Sequence, residues 1–255
     1  MIVISIQMFY RIKRIEKQID LALARNQVVS VNAEGKSTKD KEETKEKKKV
    51  YLTFDDGPSI YTDEILDILK ENNVKATFFV VGKDKSYYKY YKRIVKEGHT
   101  LGMHSYTHEY DKLYASVDAF AEEIEKLNEV LYEATGTKSK IFRFPGGSSN
   151  SVAKQPMEEY IRYLNKEQIA YYDWNALSGD AVTTGLSPEQ LVKNIMKDVE
   201  KNDNSIVLMH DLRTTHNTVE SLPLLIDTLK EGGYEILPID KNTPLVQHVS
   251  CELDE

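Results

Sequence analysis

The sequence predicts an α/β protein, a (β/α) barrel or an incomplete one, on three observations. The chain has 255 residues, 40% apolar and 29% charged, enough for one sizeable core. Short β-rich runs alternate with helical patterns along most of its length. Several of these runs are apolar on both faces, as strands of a parallel sheet covered by helices should be.

In order, the runs are VYLTF from Val50, VKATFFVV from Val74, HTLGMH from His99, IFRF from Ile141, IAYYDW from Ile169, SIVLMH from Ser205 and YEILPI from Tyr234. Helix signals lie between them. A helix starting near Ser116 buries Ile124, Leu127 and Leu131. Another opens at Ser187, where Pro188 and Gln190 complete a capping box and Leu186 can staple onto Leu191; Leu191, Ile195 and Val199 mark its buried face. Gly232-Gly233 ends the last helix before the final run. Seven such runs favour a barrel or an incomplete barrel over an open sheet.

Residues 36–49 read KSTKDKEETKEKKK, with no apolar side chain to offset the entropy of ordering. The expected division is therefore an N-terminal segment and charged linker (1–48), a folded domain (49–241) and a short tail (242–255). Met1 to Tyr10 is apolar but falls short of the roughly 20 residues a membrane helix needs. Arg11, Lys13 and Arg14 follow this stretch, the reverse of the order in a cleavable signal. Both a membrane anchor and an amphipathic helix through Ile15, Ile19 and Leu21 stay open. With 34 Lys and Arg against 41 Asp and Glu, the net charge of −7 excludes the basic field that nucleic acid requires. Cys251 is the only cysteine, so no internal disulfide or thiolate metal site can form.

Chemistry-bearing residues cluster at the ends of the β-rich runs. TFDDGP sets Asp55 and Asp56 where the first run stops and Gly57-Pro58 forces a turn; adjacent carboxylates of this kind call for a cation, or else they merely cap the next helix. HSYTH carries His104 and His108 within reach of one metal, and Asp56 would complete a two-histidine, one-carboxylate set with a coordination position left open. FRFPGG places Arg143 before a proline and two glycines whose backbone N–H groups can face a ligand. Asp173-Trp174 ends one run and His210-Asp211 another. Each alone has a plain structural explanation: a turn, a surface pair, a core tryptophan, a hydrogen-bonding histidine. In parallel α/β folds, however, the C-terminal ends of strands gather on one side, so Asp55, Asp56, His104, Arg143, Asp173 and His210 are expected in one pocket.

TFDDGP, HSYTH, FRFPGG, the DW of YYDWNALSGD and LMH, in this order and over about residues 49–240, resemble the motifs of the polysaccharide deacetylase family, the NodB-homology or carbohydrate esterase family 4 domain. The resemblance implies a distorted (β/α) barrel holding a divalent metal, commonly zinc, with cobalt or another divalent ion as alternatives. It implies Asp56, His104 and His108 as ligands, Asp55 as catalytic base oriented by Arg143, and His210 as general acid tuned by Asp173. Leu208 and Trp174 would make an apolar niche for the acetyl methyl group, and the backbone N–H of Gly146 would stabilise the oxyanion. Many members carry an aromatic residue where this chain has Gly146.

The reaction so implied is removal of N-acetyl groups from an N-acetylglucosamine polysaccharide, peptidoglycan being the leading substrate, at the cell envelope or outside the cell. Two alternatives stay open: an O-deacetylase of xylan or another sugar ester, since the same attack of water works on esters, and a catalytically silent carbohydrate-binding domain.

Overall fold

The structure, a computed structural model, describes residues 47–251 apart from 183 and 184. The expected N-terminal helix and nearly all of the charged linker lie outside the described residues. Strands β1 (Lys49–Asp55), β2 (Thr77–Val81), β3 (Thr100–Ser105), β4 (Ile141–Phe142), β5 (Ala170–Tyr171), β6 (Ala176–Leu177), β7 (Asn204–His210) and β8 (Glu235–Ile236) alternate with helices α1 (Thr62–Glu71), α2 (Tyr88–Lys96), α3 (Tyr110–Leu113), α4 (Val117–Thr135), α5 (Met157–Lys166), α6 (Pro188–Val199) and α7 (His216–Glu231). The ladder runs β5-β4-β3-β2-β1-β7-β6, with β8 beside the start of β1, and every pair is parallel. This is a half-barrel with helices against its outer face, as expected.

Each expected run carries a strand that overlaps it, and β6 is the addition. Ala176-Leu177 has no β-branched residue and is too short to show a period; it is a strand because it pairs with Val207 and Leu208 of β7.

The period of two along a strand sorts side chains between two cores. Val50, Leu52 and Phe54 of β1, Phe78 and Val80 of β2, and Val207 and Met209 of β7 point outward into a large core shared with the helices. Tyr51, Phe79, Tyr172, Ile206 and Ile239 point inward and make a small second core that floors the barrel. Above that floor, the inward positions of β1 and β7 become Thr53 and Asp55, Leu208 and His210.

The helices end where the sequence expects. Ser116 caps α4 by accepting a hydrogen bond from the Ala119 N–H (3.1 Å), and Phe120, Ile124, Leu127 and Leu131 are its buried stripe. Both halves of the Ser187–Gln190 capping box form at α6, and Gly232 caps α7.

The tail differs from the expectation of a segment beyond the domain. After β8 the chain returns along the outer edge of β5: the Asp173 N–H donates to the Val246 carbonyl (2.7 Å), Gln247 Nε2 to the Tyr171 carbonyl (3.3 Å), and Tyr171 Oη to the Val249 carbonyl (2.6 Å). Val246 packs on the inner core, Val249 and Cys251 on the outer one. This strap covers an edge that would otherwise expose unpaired backbone groups. Its apolar residues are too sparse to show a period in the sequence.

His99 links burial to acid stability. It is buried at the start of β3, its Nδ1 accepts the Ala76 N–H (3.1 Å), and its ring meets Phe78 edge-on. Burial, reinforced by Lys75, pulls its pKa down to about 4. Because the folded value lies below the ordinary 6.5, the unfolded chain takes up the proton first; the contribution to stability is whole above pH 6.5 and lost as pH falls through about 4. Denaturant unfolding followed from pH 7 to 4 should show this loss, on the order of a few kcal/mol, and His99→Asn should flatten it.

Candidate active site

The paired carboxylates stand at the mouth because β1 ends there. Asp55, 2% exposed, is in register with Phe79 of β2 and His210 of β7, so its side chain and that of His210 lie on neighbouring strands of the same face. Asp56 leaves the strand with φ 72°, a left-handed conformation that Asp tolerates better than most residues. The turn beyond is held by Asp211, whose buried carboxylate accepts from Ser59 Oγ and Thr62 Oγ1 (both 2.5 Å) and whose N–H donates to the Asp55 carbonyl (2.8 Å). Gly57 is required there: a Cβ would stand 2.5 Å from Asp211 Oδ2.

His104 is aimed by a bulge. Val80 pairs with Met103 but Val81 pairs with Ser105, which leaves His104 as the extra residue of β3. Its Nδ1–H donates to the Arg143 carbonyl (2.7 Å), turning Nε2 toward Asp56. His108 follows with φ 58°, its N–H held by Ser105 Oγ (2.9 Å), while the preceding Thr107 bonds through N–H and Oγ1 to Glu123 of α4 (2.8 and 3.0 Å).

Nε2 of His108 and of His104 lie 3.0 and 3.4 Å from Asp56 Oδ1, a buried oxygen with no well-aligned hydrogen bond. Two ligands of one tetrahedral zinc, each about 2.1 Å from the ion, stand roughly 3.4 Å apart. The donor set and spacing of Asp56, His104 and His108 therefore fit a divalent cation, and among the described residues this is the cluster that does. Burial pushes the Asp56 carboxyl up, but the imidazoles of His108, His104 and His210 outweigh it and hold it well below the usual carboxylate range. Burial pulls His104 below its ordinary value against the pull of Asp55 and Asp56; at His108 burial acts the same way, but Asp56 dominates and raises it.

Arg143, fully buried, orients Asp55. Its Nη1 donates to Asp55 Oδ1 (2.9 Å) and Thr53 Oγ1 (2.6 Å), its Nε to the Tyr172 carbonyl (2.9 Å), its Nη2 to the Asp173 carbonyl (3.0 Å), and its guanidinium lies 4.3 Å from the centre of the Phe79 ring. Burial lowers its pKa, opposed first by Asp55.

The partner of His210 is where the structure corrects the sequence. Asp173, expected to tune His210, spends its carboxylate on the Ser148 N–H (2.8 Å), Ser148 Oγ (2.5 Å) and the His248 N–H (2.7 Å). Asp180, outside the expected set, bonds His210 instead: Oδ1 faces Nδ1 (2.8 Å), and Oδ2 accepts the His210 N–H (2.9 Å) and the Thr218 Oγ1–H (2.8 Å). The geometry follows from β6, which sets Gly179-Asp180 beside the end of β7; an acidic residue after SG at the close of the motif was the available signal. Burial lowers the His210 pKa, but the Asp180 hydrogen bond and charge overcome it, with Asp55 and Asp56 adding, and raise it to about 9. Asp180 is held below its ordinary value despite burial by the same bond.

The remaining expected residues divide. Leu208 shares the His210 face and is aligned with Leu177, so the two form an apolar ledge. Trp174 does not join that ladder; its ring packs against Gly147 and meets His248 edge-on, 5.0 Å between centroids. Gly146 and Gly147 adopt φ 78° and 81° in an exposed-to-buried turn closed by the Gly147 N–H on the Phe144 carbonyl (2.8 Å). Tyr110 fills the space a side chain at 146 would take, 3.3 Å from its Cβ position.

Residues 42–161 match the polysaccharide deacetylase family. The chain is 33% identical over 196 residues to a peptidoglycan-N-acetylglucosamine deacetylase of Bacillus cereus, covering 75% of this chain and 69% of the relative. The chain belongs to the polysaccharide deacetylase family. YheN of Bacillus subtilis is 38% identical over 194 residues, 73% of this chain, and the chain spans 65% of that relative's length. Among solved structures, the catalytic domain of peptidoglycan N-acetylglucosamine deacetylase from Eubacterium rectale superposes with a TM-score of 0.76 at 34% identity, over 88% of this chain and all of that one.

NMR titration of the His210 imidazole should return a pKa near 9 in the intact protein. Asp180→Asn should bring it down toward 6.5, whereas Asp173→Asn should leave it in place.

Proposed function

We propose that this chain hydrolyses N-acetyl groups of an N-acetylglucosamine polysaccharide, peptidoglycan first, as a metal-dependent deacetylase with Asp55 as base and His210 as acid. The observation that carries the reading is the pair itself: register neighbours on β1 and β7, one carboxylate fixed by Arg143 and one imidazole kept charged by Asp180. A divalent ion held by Asp56, His104 and His108, zinc being the natural candidate, would supply Lewis-acid polarisation of the acetyl carbonyl.

The chain's own residues account for the proton movements. Arg143 binds Asp55 Oδ1 and leaves Oδ2 to take a proton from the attacking water, whose oxygen bonds to the carbonyl carbon. The Gly146 N–H donates to the resulting oxyanion, a contact worth about 3 kcal/mol in comparable sites. His210, with Nδ1 committed to Asp180, delivers its Nε2 proton to the amide nitrogen as the C–N bond breaks, releasing acetate and the sugar amine. Leu208 and Leu177 offer the methyl group an apolar surface. A wall polymer lies outside the cytoplasm, so this reading sets the protein to work at the cell envelope or beyond it; no described helix is long and apolar enough to cross a membrane.

The test is acetate release from N-acetylglucosamine oligomers and from peptidoglycan. Chelation should abolish it and zinc restore it; Asp55→Asn and His210→Ala should each lower kcat by roughly 10²–10⁴-fold. In the intact protein kcat/KM should decline as pH rises through about 9, where His210 loses its proton. Release only from acetyl esters would move the activity to O-deacetylation, and release indifferent to chelator or to both substitutions would overturn the mechanism.

A further inference from the structure

The strap and Asp173 meet at a place the hydrolytic mechanism leaves unexplained. Ser148, Asp173 and the main chain of residues 246–249 join three segments distant in sequence: the turn after β4, the end of β5 and the chain beyond β8. Ser148 and Asp173 are both fully buried. The Asp173 carboxylate accepts the Ser148 N–H, Ser148 Oγ and the His248 N–H, while Ser148 Oγ in turn accepts the Val249 N–H (2.9 Å). The Asp173 N–H reaches Val246, and its carbonyl takes Arg143 Nη2. A carboxylate that ties together three donors from two distant segments is a restraint.

What it restrains is specific. Ser148 directly follows the two left-handed glycines, and Gly147 is wedged against the Trp174 ring, 3.0 Å from where its Cβ would stand. On the other side Tyr114 Oη donates to the Pro145 carbonyl (2.8 Å). With both ends tied, glycines that are free to adopt many conformations in isolation are confined to one. We infer that Ser148, Asp173 and the strap form a positioning clamp that holds the Gly146 N–H in its catalytic orientation, so that the C-terminal segment belongs to the active site. The clamp rests on the proposed role of the Gly146 N–H. Asparagine at 173 cannot replace the carboxylate, because its NH₂ would face a donor already committed there.

The test uses the full chain with Ser148→Ala, which removes only the Oγ relay, and Asp173→Asn. Hydrogen exchange over residues 143–150, zinc affinity, kcat, KM and the pH profile are measured for each. The clamp predicts faster exchange in that segment and a kcat lower by about tenfold or more, with KM, zinc affinity and the alkaline limb near pH 9 unchanged, since displacements of this scale act on orientation. Unchanged exchange and kcat in Ser148→Ala would overturn it, as would a loss of rate carried by a shifted alkaline limb, which would return Asp173 to His210. If Asp173→Asn does not fold, Ser148→Ala decides alone. If the intact protein releases no acetate from any substrate, the deacetylase reading fails, and exchange in the two variants still decides whether the turn is clamped.

Discussion

One buried cation organises the upper half of this barrel. Arg143 is the largest fully buried side chain among the described residues, and taking a guanidinium out of water costs several kcal/mol unless its charge and its donors are all answered. Asp55 answers the charge, and Thr53, the two carbonyls at the end of β5 and the Phe79 face answer the rest. The strands are thereby committed to one arrangement: β1 must present Thr53 and Asp55 inward, and the chain after β5 must turn two carbonyls toward the centre. The Arg143 carbonyl adds His104 to the same assembly. Loss of either charged partner would strand the other in a low-dielectric interior, typically a destabilisation of 3–5 kcal/mol.

The histidines around this centre share a mouth but not a chemistry. Burial keeps His104 neutral, and its Nδ1–H on the Arg143 carbonyl presents Nε2 as a lone-pair donor. His210 has a carboxylate at the equivalent nitrogen, which keeps it charged and presents Nε2 as a proton donor. The different roles proposed for the two rings thus follow from burial at His104 and from the carboxylate behind His210, in the way environments separate acid and base roles in other sites.

Much of this was legible in the sequence, for physical reasons that also explain the exceptions. Long buried strands such as β1 and β7 need apolar runs, left-handed and tight turns need Gly, Asp and Pro, and chemistry-bearing groups gather at strand ends; SIVLMH carries the first signal, TFDDGP the second, and these two with HSYTH the third. Asp180 was hidden because the two-residue strand β6 that positions it owes its existence to the ladder with β7 rather than to its own residues. Asp173 of the DW motif stands in that role by resemblance alone. The strap was hidden for a related reason: much of its hold on the domain runs through its own backbone N–H and C=O groups, to which side-chain pattern along the strap is blind.

The strap also imposes an order on biosynthesis. Residues 246–249 leave the ribosome after all eight strands, and domains tend to form from the N-terminus onward during synthesis. Both cores can gather most of their residues while the edge of β5 and the turn at Gly146-Gly147 are still unbraced. A nascent chain would thus acquire its barrel before it acquires a rigid mouth, the strap bracing the turn at Gly146-Gly147 only after the strands are made.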